Sequence, residues 1–141
     1  MKIYFAGALF SMAEKVFNET LKNELLKLRP DLQILLPQDE AEKIFGDPDF
    51  ENKVFKSCID GVKESDVILC MLDGPDADSG TCVELGLAYQ QGKRIIGVRT
   101  DFRASEEDGL NIMVRKVLDE YINKTELNSV EELAEEIAEV L

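Results

Sequence analysis

The sequence predicts an α/β fold: an open, mostly parallel five-stranded sheet with helices on both faces, in a three-layer α/β/α arrangement. Two observations predict it. Five apolar runs alternate with helical patterns, and strands separated by helices of this length pair in parallel through right-handed crossovers. The runs are also apolar almost throughout, as expected for strands that helices cover on both sides.

The elements follow one another in a regular order. The strand-like runs are KIYFAG, LQILLP, DVILCML, RIIGV and EYIN, and helical patterns follow them at about 11–28, 50–65, 81–91, 111–119 and 129–141. The stretch PQDEAEK after the second strand is expected to be a loop. With 141 residues and neither a linker nor an internal repeat, the chain is expected to form one domain, 1–141, of flavodoxin-like architecture.

Three helix starts carry the sequence pattern of a capping box. In a capping box, Ser or Thr is followed three residues later by Glu, and each side chain binds a backbone N–H group at the open end of the helix. The pairs are Ser11 with Glu14, Thr81 with Glu84, and Ser129 with Glu132. The pattern therefore places Glu84 at a helix N-terminus, where its carboxylate stays ionised near neutral pH.

Composition limits the function classes. A formal net charge of -13 disfavours nucleic acids and anionic membrane surfaces as partners. The apolar stretch near the N-terminus is too short to span a bilayer, so a cytoplasmic location is expected. The chain has no histidine and only three cysteines, without a CxxC pair, which argues against a zinc site or a disulfide framework. Acid-base chemistry then falls to carboxylates, Tyr, Lys or Cys.

The loops after the strands are the expected place for chemistry, because open parallel sheets bind ligands beyond the carboxyl ends of their strands. The most polar of these loops, DGPDADSGT, contains Asp73, Asp76 and Asp78. It matches neither a dinucleotide fingerprint nor a Walker loop, and its spacing departs from that of an EF-hand. A magnesium or calcium site is a minor alternative for such an aspartate-rich loop, and the expectation is that no metal is bound. The remaining option is a pair of carboxylates that acts on an acetal-like carbon. Asp78 and Glu84 are able to supply this pair.

Three segments together resemble the nucleoside 2-deoxyribosyltransferase family: KIYFAGALFS, SDVILCMLDGPDADSGTCVELGLAYQQGKRI and LNIM. The resemblance covers nearly the whole chain, and DSGTCVELGLA is its most specific part. It implies an enzyme that cleaves the N-glycosidic bond of a 2'-deoxynucleoside and passes the deoxyribosyl group to another base. The implied nucleophile is Glu84, which forms a covalent deoxyribosyl-enzyme, and no cofactor is required.

The resemblance also implies roles for other residues. Tyr4 orients the nucleophile, Asp78 handles the departing base and its proton, and Asn111 binds the sugar 5'-hydroxyl in the active site of a neighbouring subunit. Met113 lines the same shared pocket, so a homodimer or a higher homo-oligomer is expected. Small residues of the loops complete the expected substrate-binding set: Ala6, Gly7 and Gly80.

The part of the site that handles the base departs from the family pattern. Where family members often carry an aspartate in the second helix, this chain has Cys58, with Asp60 close by, and a thiol does not relay a proton as a carboxylate does. The family glutamine in the second loop is replaced by Ala41, and Gln38 is a substitute for it. The sequence therefore predicts an intact sugar subsite and an altered base subsite.

Two other functions remain open. A hydrolase of the same superfamily would cleave deoxynucleosides or their 5'-monophosphates with water in place of the acceptor base. A non-catalytic module would bind a nucleotide without reaction. Taken singly, Tyr4, Asp78, Glu84 and Asn111 each have an ordinary structural explanation, as core, turn or capping residues. Their order along one matching fold favours the transferase.

Overall fold

The computed structural model describes residues 1–103, 109–126 and 129–141, which form five strands and six helices. The elements are β1 (Lys2–Ala6), α1 (Met12–Leu28), β2 (Gln33–Leu35), α2 (Pro37–Lys43), α3 (Phe50–Glu64), β3 (Val67–Met71), α4 (Ser79–Gln90), β4 (Arg94–Arg99), α5 (Ile112–Lys116), β5 (Glu120–Asn123) and α6 (Val130–Val140). The polar stretch RTDFRASEEDGLN is predicted from the sequence to be a surface loop, and part of it lies outside the described residues. That 1–141 form one domain stays a prediction.

The five strands form one sheet in the order β2-β1-β3-β4-β5, and every neighbouring pair is parallel. The predicted three-layer α/β/α fold is confirmed. The strand order reverses between β1 and β3, and in open α/β sheets such a reversal opens a crevice at the carboxyl ends of the strands. A ligand site is therefore expected at the loops after β1 and β3.

The two faces of the sheet are covered by different helices. Ile3 and Phe5 of β1 pack with residues of α1 and α6, whereas Tyr4 and Ala6 pack with residues of α3 and α4. This alternation follows from the two-residue period of a strand. Both faces are apolar, which is why the strands read as nearly continuous apolar runs.

Three elements differ from the sequence prediction. The expected loop PQDEAEK is the helix α2, which Pro37 opens at its first turn; a proline there is preset for the helix and its missing N–H group costs nothing. The strand β2 keeps only Gln33–Leu35 of the predicted run. The fourth predicted helix, expected at 111–119, is reduced to Ile112–Lys116.

The helix starts show one confirmed capping box and one wrong one. At α1, Glu14 N–H donates to Ser11 Oγ at 3.1 Å and Ser11 N–H donates to Glu14 Oε2 at 2.7 Å. The box at Thr81 does not exist, because α4 begins earlier with Asp78 as its N-cap. Glu84 consequently lies in the second turn of α4 and does not cap it.

At α6, Ser129 Oγ accepts from Glu132 N–H, which is one of the two bonds of the third predicted capping box. None of the helices in the described residues is long and apolar enough to cross a membrane.

Candidate active site

A hydrogen bond between Tyr4 and Glu84 joins β1 to α4 near the reversal of strand order. Tyr4 is fully buried on the α3/α4 side of the sheet. Its hydroxyl donates to Glu84 Oε1 at 2.6 Å, a length typical of a charge-assisted O–H···O bond. The half-buried carboxylate thus has a fixed orientation.

The electrostatic surroundings of Glu84 are those of a buried carboxylate with neutral donors. Burial raises the pKa of Glu84, and the nearby charge of Asp78 adds to the rise, while the Tyr4 hydroxyl and the Cys58 thiol act in the opposite direction. Burial and the charge of Glu84 likewise raise the pKa of Tyr4 well above its ordinary value. Burial also raises the pKa of the Cys58 thiol. The structure therefore brings Tyr4, Cys58, Asp78 and Glu84 together.

The helix α3 contacts Tyr4 through a glycine. A Cβ atom at Gly61 would lie 2.7 Å and 2.8 Å from Cε2 and Cδ2 of the Tyr4 ring, so any larger residue would displace the ring. Cys58 lies one turn earlier on the same helix. The role of Gly61 was not predicted, although a glycine inside a helix usually has a packing reason.

Asp78 is held by the helix that it caps. Its Oδ2 accepts from Thr81 N–H at 2.9 Å and from Thr81 Oγ1 at 3.2 Å. A Cβ atom at Gly80 would lie 3.1 Å from this same oxygen, so the glycine leaves room for the carboxylate. Thr81 is buried, and its role as the anchor of Asp78 was not foreseen in the sequence.

Two of the predicted binding residues mark the end of β1. Ala6 is its last residue and is buried. Gly7 follows, and a Cβ atom there would lie 3.2 Å from Cβ of Met71. The ends of β1 and β3 therefore approach closely at the reversal of strand order, and the backbone of Gly7 lies at the crevice.

Two other predicted residues have partners elsewhere. Gln38 is buried, donates to Lys15 O at 3.1 Å and faces the amide of Asn18 at 3.4 Å. Asp60 forms an ion pair with Lys56 one turn away on α3. Their contact with a base stays a prediction, and neither is among the groups that the structure brings to Glu84.

Asn111 and Met113 lie at the start of α5. Asn111 is its N-cap, and Asn111 Oδ1 accepts from Met113 N–H at 2.9 Å. The Met113 side chain is 73% exposed. Their predicted role in a neighbouring subunit is therefore compatible with an outward position, and it stays a prediction.

The acidic residues of the loop after β3 differ in their surroundings. Asp73 accepts from the backbone N–H groups of Thr100 and Asp101 at 2.6 Å and 3.0 Å, so it ties this loop to the one after β4. Asp76 is exposed. Within 1–103, 109–126 and 129–141, no three potential ligands among His, Cys, Asp and Glu cluster as a metal site would require.

A cleft of about 540 Å³ opens at the same edge of the sheet, on its α1 side. Apolar side chains of α1, β3 and the loop after β4 line it, with Asn18, Asp73, Asp101 and Arg103 as polar neighbours. Neither Tyr4 nor Glu84 belongs to its lining. The cleft and the carboxylate site therefore lie on different faces of the sheet.

A known protein family and several solved structures are similar to this chain. A family described as nucleoside 2-deoxyribosyltransferase matches residues 3–115. A conserved protein from Enterococcus faecalis is 27% identical with a TM-score of 0.77, covering 100% of this chain and 99% of that one. The 2-deoxyribosyltransferase from Bacillus psychrosaccharolyticus is 22% identical, with a TM-score of 0.71 and coverage of 95% and 90%.

A third solved structure belongs to a different enzyme. The CMP N-glycosidase of Clostridium botulinum is 22% identical with a TM-score of 0.65 and is covered completely, as is this chain. At these identities the second and third structures show a shared fold. No curated protein matches the sequence significantly.

We expect Glu84→Gln to raise the melting temperature at pH 7 and to have less effect at pH 4. Burial raises the pKa of Glu84 above its ordinary value of 4.5, so the folded state binds the proton more tightly than the unfolded state. The stability that this provides is lost as the pH rises through the two pKa values. A glutamine stays neutral at every pH, so the Glu84→Gln protein does not lose this stability as the pH rises. Thermal unfolding followed by circular dichroism at pH 4, 5.5 and 7 measures the difference.

The matched control is Glu19→Gln, which changes an exposed glutamate of α1. Its melting temperature should follow that of the parent at every pH. A Glu84→Gln protein that is less stable than the parent at pH 7 would contradict the expectation, and so would a difference that does not depend on pH.

Proposed function

The chain belongs to the nucleoside 2-deoxyribosyltransferase family, and from this premise we propose that it transfers the 2-deoxyribosyl group of a 2'-deoxynucleoside to another purine or pyrimidine base. The observation that carries the proposal is the 2.6 Å hydrogen bond from Tyr4 to Glu84 Oε1. It orients a half-buried carboxylate beside the crevice of an α/β sheet, with a second carboxylate, Asp78, close enough to influence it.

In the proposed reaction Glu84 is the nucleophile. With Oε1 held by Tyr4, Oε2 attacks C1', the C1'–N bond breaks, and its electron pair leaves with the base. The product is a deoxyribosyl ester of Glu84. A ring nitrogen of the incoming base then attacks C1', and the ester C–O bond breaks to restore the carboxylate. Two inversions give net retention and replace one difficult step with two easier ones.

Asp78 is the proposed general acid for the departing base. Both of its hydrogen bonds to Thr81 use Oδ2, which leaves Oδ1 for a ring nitrogen. General acid catalysis of this kind typically contributes a factor of about 10² to 10⁴ in rate. Cys58, Asp60 and Gln38 are the proposed contributors to base recognition, with Ala6, Gly7 and Gly80 as backbone neighbours of the substrate.

Asn111 and Met113 are proposed to complete the site of a second subunit. Ile112 and Met113, on the short helix α5, are 59% and 73% exposed. Adjacent large apolar side chains at such exposure are typical of a surface that a partner covers. In this arrangement Asn111 binds the sugar 5'-hydroxyl across the interface of a homodimer or a larger homo-oligomer.

Hydrolysis is the second candidate, because the chain shares its fold over its full length with a CMP N-glycosidase. Charge favours an unphosphorylated substrate. The segment AGALFSMAE, which starts at the end of β1, contains no Arg or Lys, and the first cation after β1 is Lys15. A 5'-phosphate would therefore lack a cation in the first loop, whereas phosphate recognition normally uses Arg or backbone donors.

The covalent intermediate supplies the first test. Incubation with a 2'-fluoro-2'-deoxynucleoside is expected to add one fluorodeoxyribosyl group per chain, because the electron-withdrawing fluorine slows breakdown of the ester. Intact-protein mass spectrometry measures the added mass, and peptide fragmentation places it on Glu84. Glu84→Gln should show no adduct, while Glu19→Gln should label as the parent does. An adduct on another residue would overturn the assignment. If the parent shows neither an adduct nor turnover, the remaining hypothesis is the non-catalytic binding module.

Transfer and hydrolysis are separated by their products. Deoxyinosine is incubated with and without free adenine, and chromatography follows deoxyadenosine, hypoxanthine and free deoxyribose. A transferase should form deoxyadenosine and release little deoxyribose when adenine is present. Free deoxyribose at equal rates in both reactions would establish the hydrolase. Faster cleavage of deoxyinosine 5'-monophosphate than of deoxyinosine would contradict the charge argument.

Mixing two inactive variants tests the shared site. Glu84→Gln lacks the nucleophile and Asn111→Ala lacks the proposed 5'-hydroxyl ligand, so each homo-oligomer is expected to be inactive or nearly so. If subunits exchange, a mixed dimer contains one site with both wild-type residues, and up to about a quarter of the parent activity should return in a statistical mixture. A mixture that stays inactive although mass spectrometry shows mixed dimers would place Asn111 outside the neighbouring site.

A further inference from the structure

Arg99 is a buried cation that the proposed reaction does not use. It is the last residue of β4 and only 1% of its surface is exposed. Within the described residues its guanidinium donates to three backbone carbonyl oxygens: Leu72 and Gly74 in the loop after β3, and Arg103 in the loop after β4. A planar guanidinium with five donors is suited to hold several acceptors at fixed directions.

A second set of hydrogen bonds, which does not involve Arg99, joins the same two loops. The backbone N–H and the hydroxyl of Thr100 donate to Asp73, as does the backbone N–H of Asp101. The backbone N–H of Gly74 donates to Asp101 Oδ2 at 3.0 Å. The loop after β3 is therefore fixed to the loop after β4 from both sides, and Arg99 lies at the centre of this network.

The turn that precedes α5 is fitted to Arg99 as well. Gly109 has a φ of 80°, and a Cβ atom there would lie 2.6 Å from Arg99 Nε. Only a glycine permits both the backbone conformation and the close approach. Asn111 follows two residues later, so the position of the guanidinium constrains where α5 begins.

We infer that Arg99 is a positioning residue: it holds the loop that leads to Asp78 and the turn that leads to Asn111 at a fixed spacing. The inference rests on the proposed function for its kinetic consequence. Loss of the guanidinium leaves the Tyr4–Glu84 bond in place, because that contact joins β1 and α4 directly. The same loss would allow Asp78, which receives the departing base, and Asn111, which binds the sugar, to move. Small misplacements of such groups lower the rate by large factors.

Arg94 offers a matched control on the same strand. It is the first residue of β4, at the opposite edge of the sheet, and it donates to the backbone carbonyl of Val140. The experiment compares Arg99→Met, Arg99→Lys and Arg94→Met with the parent. Thr100→Val is the milder variant, because it removes one hydroxyl bond to Asp73 and keeps the shape of the side chain.

Amide hydrogen exchange tests the positioning independently of activity. In Arg99→Met the amides of Gly74, Thr100 and Asp101 should exchange at least about tenfold faster, while the amides of β1 keep their protection. Thr100→Val should accelerate the same amides to a smaller extent, and Arg99→Lys should restore part of the protection. Arg94→Met should leave them unchanged. Exchange in these loops that is the same in the parent and in Arg99→Met or Thr100→Val would overturn the inference.

Kinetics supply the second readout. In Arg99→Met we expect kcat to fall about tenfold or more at saturating deoxyinosine, with the acid limb of the pH profile unmoved because the surroundings of Glu84 are intact. Arg94→Met should keep the parent kcat. An active parent whose kcat is unaffected by Arg99→Met would contradict the positioning role. A parent that lacks all turnover would sink the proposed function, while the exchange data still decide whether Arg99 fixes the two loops.

Discussion

The hydrogen bond between Tyr4 and Glu84 is the contact on which the candidate site depends. It joins residues 80 positions apart, and the sheet makes this possible because Tyr4 pairs with Ile68 of the neighbouring strand that leads to α4. A buried hydroxyl without an acceptor costs about 1 to 3 kcal/mol, so the core and the carboxylate stabilise each other. Gly61 provides the space in which the ring lies. Packing of the core and orientation of the proposed nucleophile are consequently one constraint.

Much of the fold could be predicted from the sequence, because the strands that two helical layers cover are apolar along their whole length. The short helix α2 could not, since PQDEAEK is polar and its proline resembles a loop signal. The helix start at Asp78 was missed for a related reason. A Thr followed three residues later by Glu satisfies the capping pattern at Thr81, but Asp78 stands three residues before Thr81 and satisfies the same geometry with a stronger acceptor. Local spacing alone does not choose between two such registers.

The site was predictable only through the family resemblance. No periodicity connects Tyr4 with Glu84, and a tyrosine in an apolar strand is ordinarily a core residue. The resemblance named both, and the structure brings them together with Cys58 and Asp78. It gave no indication of Gly61 or Thr81, whose importance appears only when the distances to Tyr4 and Asp78 are known. The predicted place of Glu84 at the helix N-terminus is also wrong, because this residue lies in the second turn of α4, where burial raises the pKa of its carboxylate.

The carboxylates at the edge of the sheet divide by their partners. Asp73 and Asp101 receive backbone N–H groups or a guanidinium, and they hold loops. Glu84 instead receives a hydroxyl, with a thiol beside it. A cation bound to Glu84 would withdraw charge from the attacking oxygen, whereas neutral donors orient it and leave its nucleophilicity largely intact. The ester of the proposed reaction would form beside Tyr4 and Cys58, the neutral neighbours of Glu84. Neither of these residues selects the acceptor, so the choice between a base and water would depend on the groups around the sugar, where the proposed partner subunit contributes Asn111 and Met113.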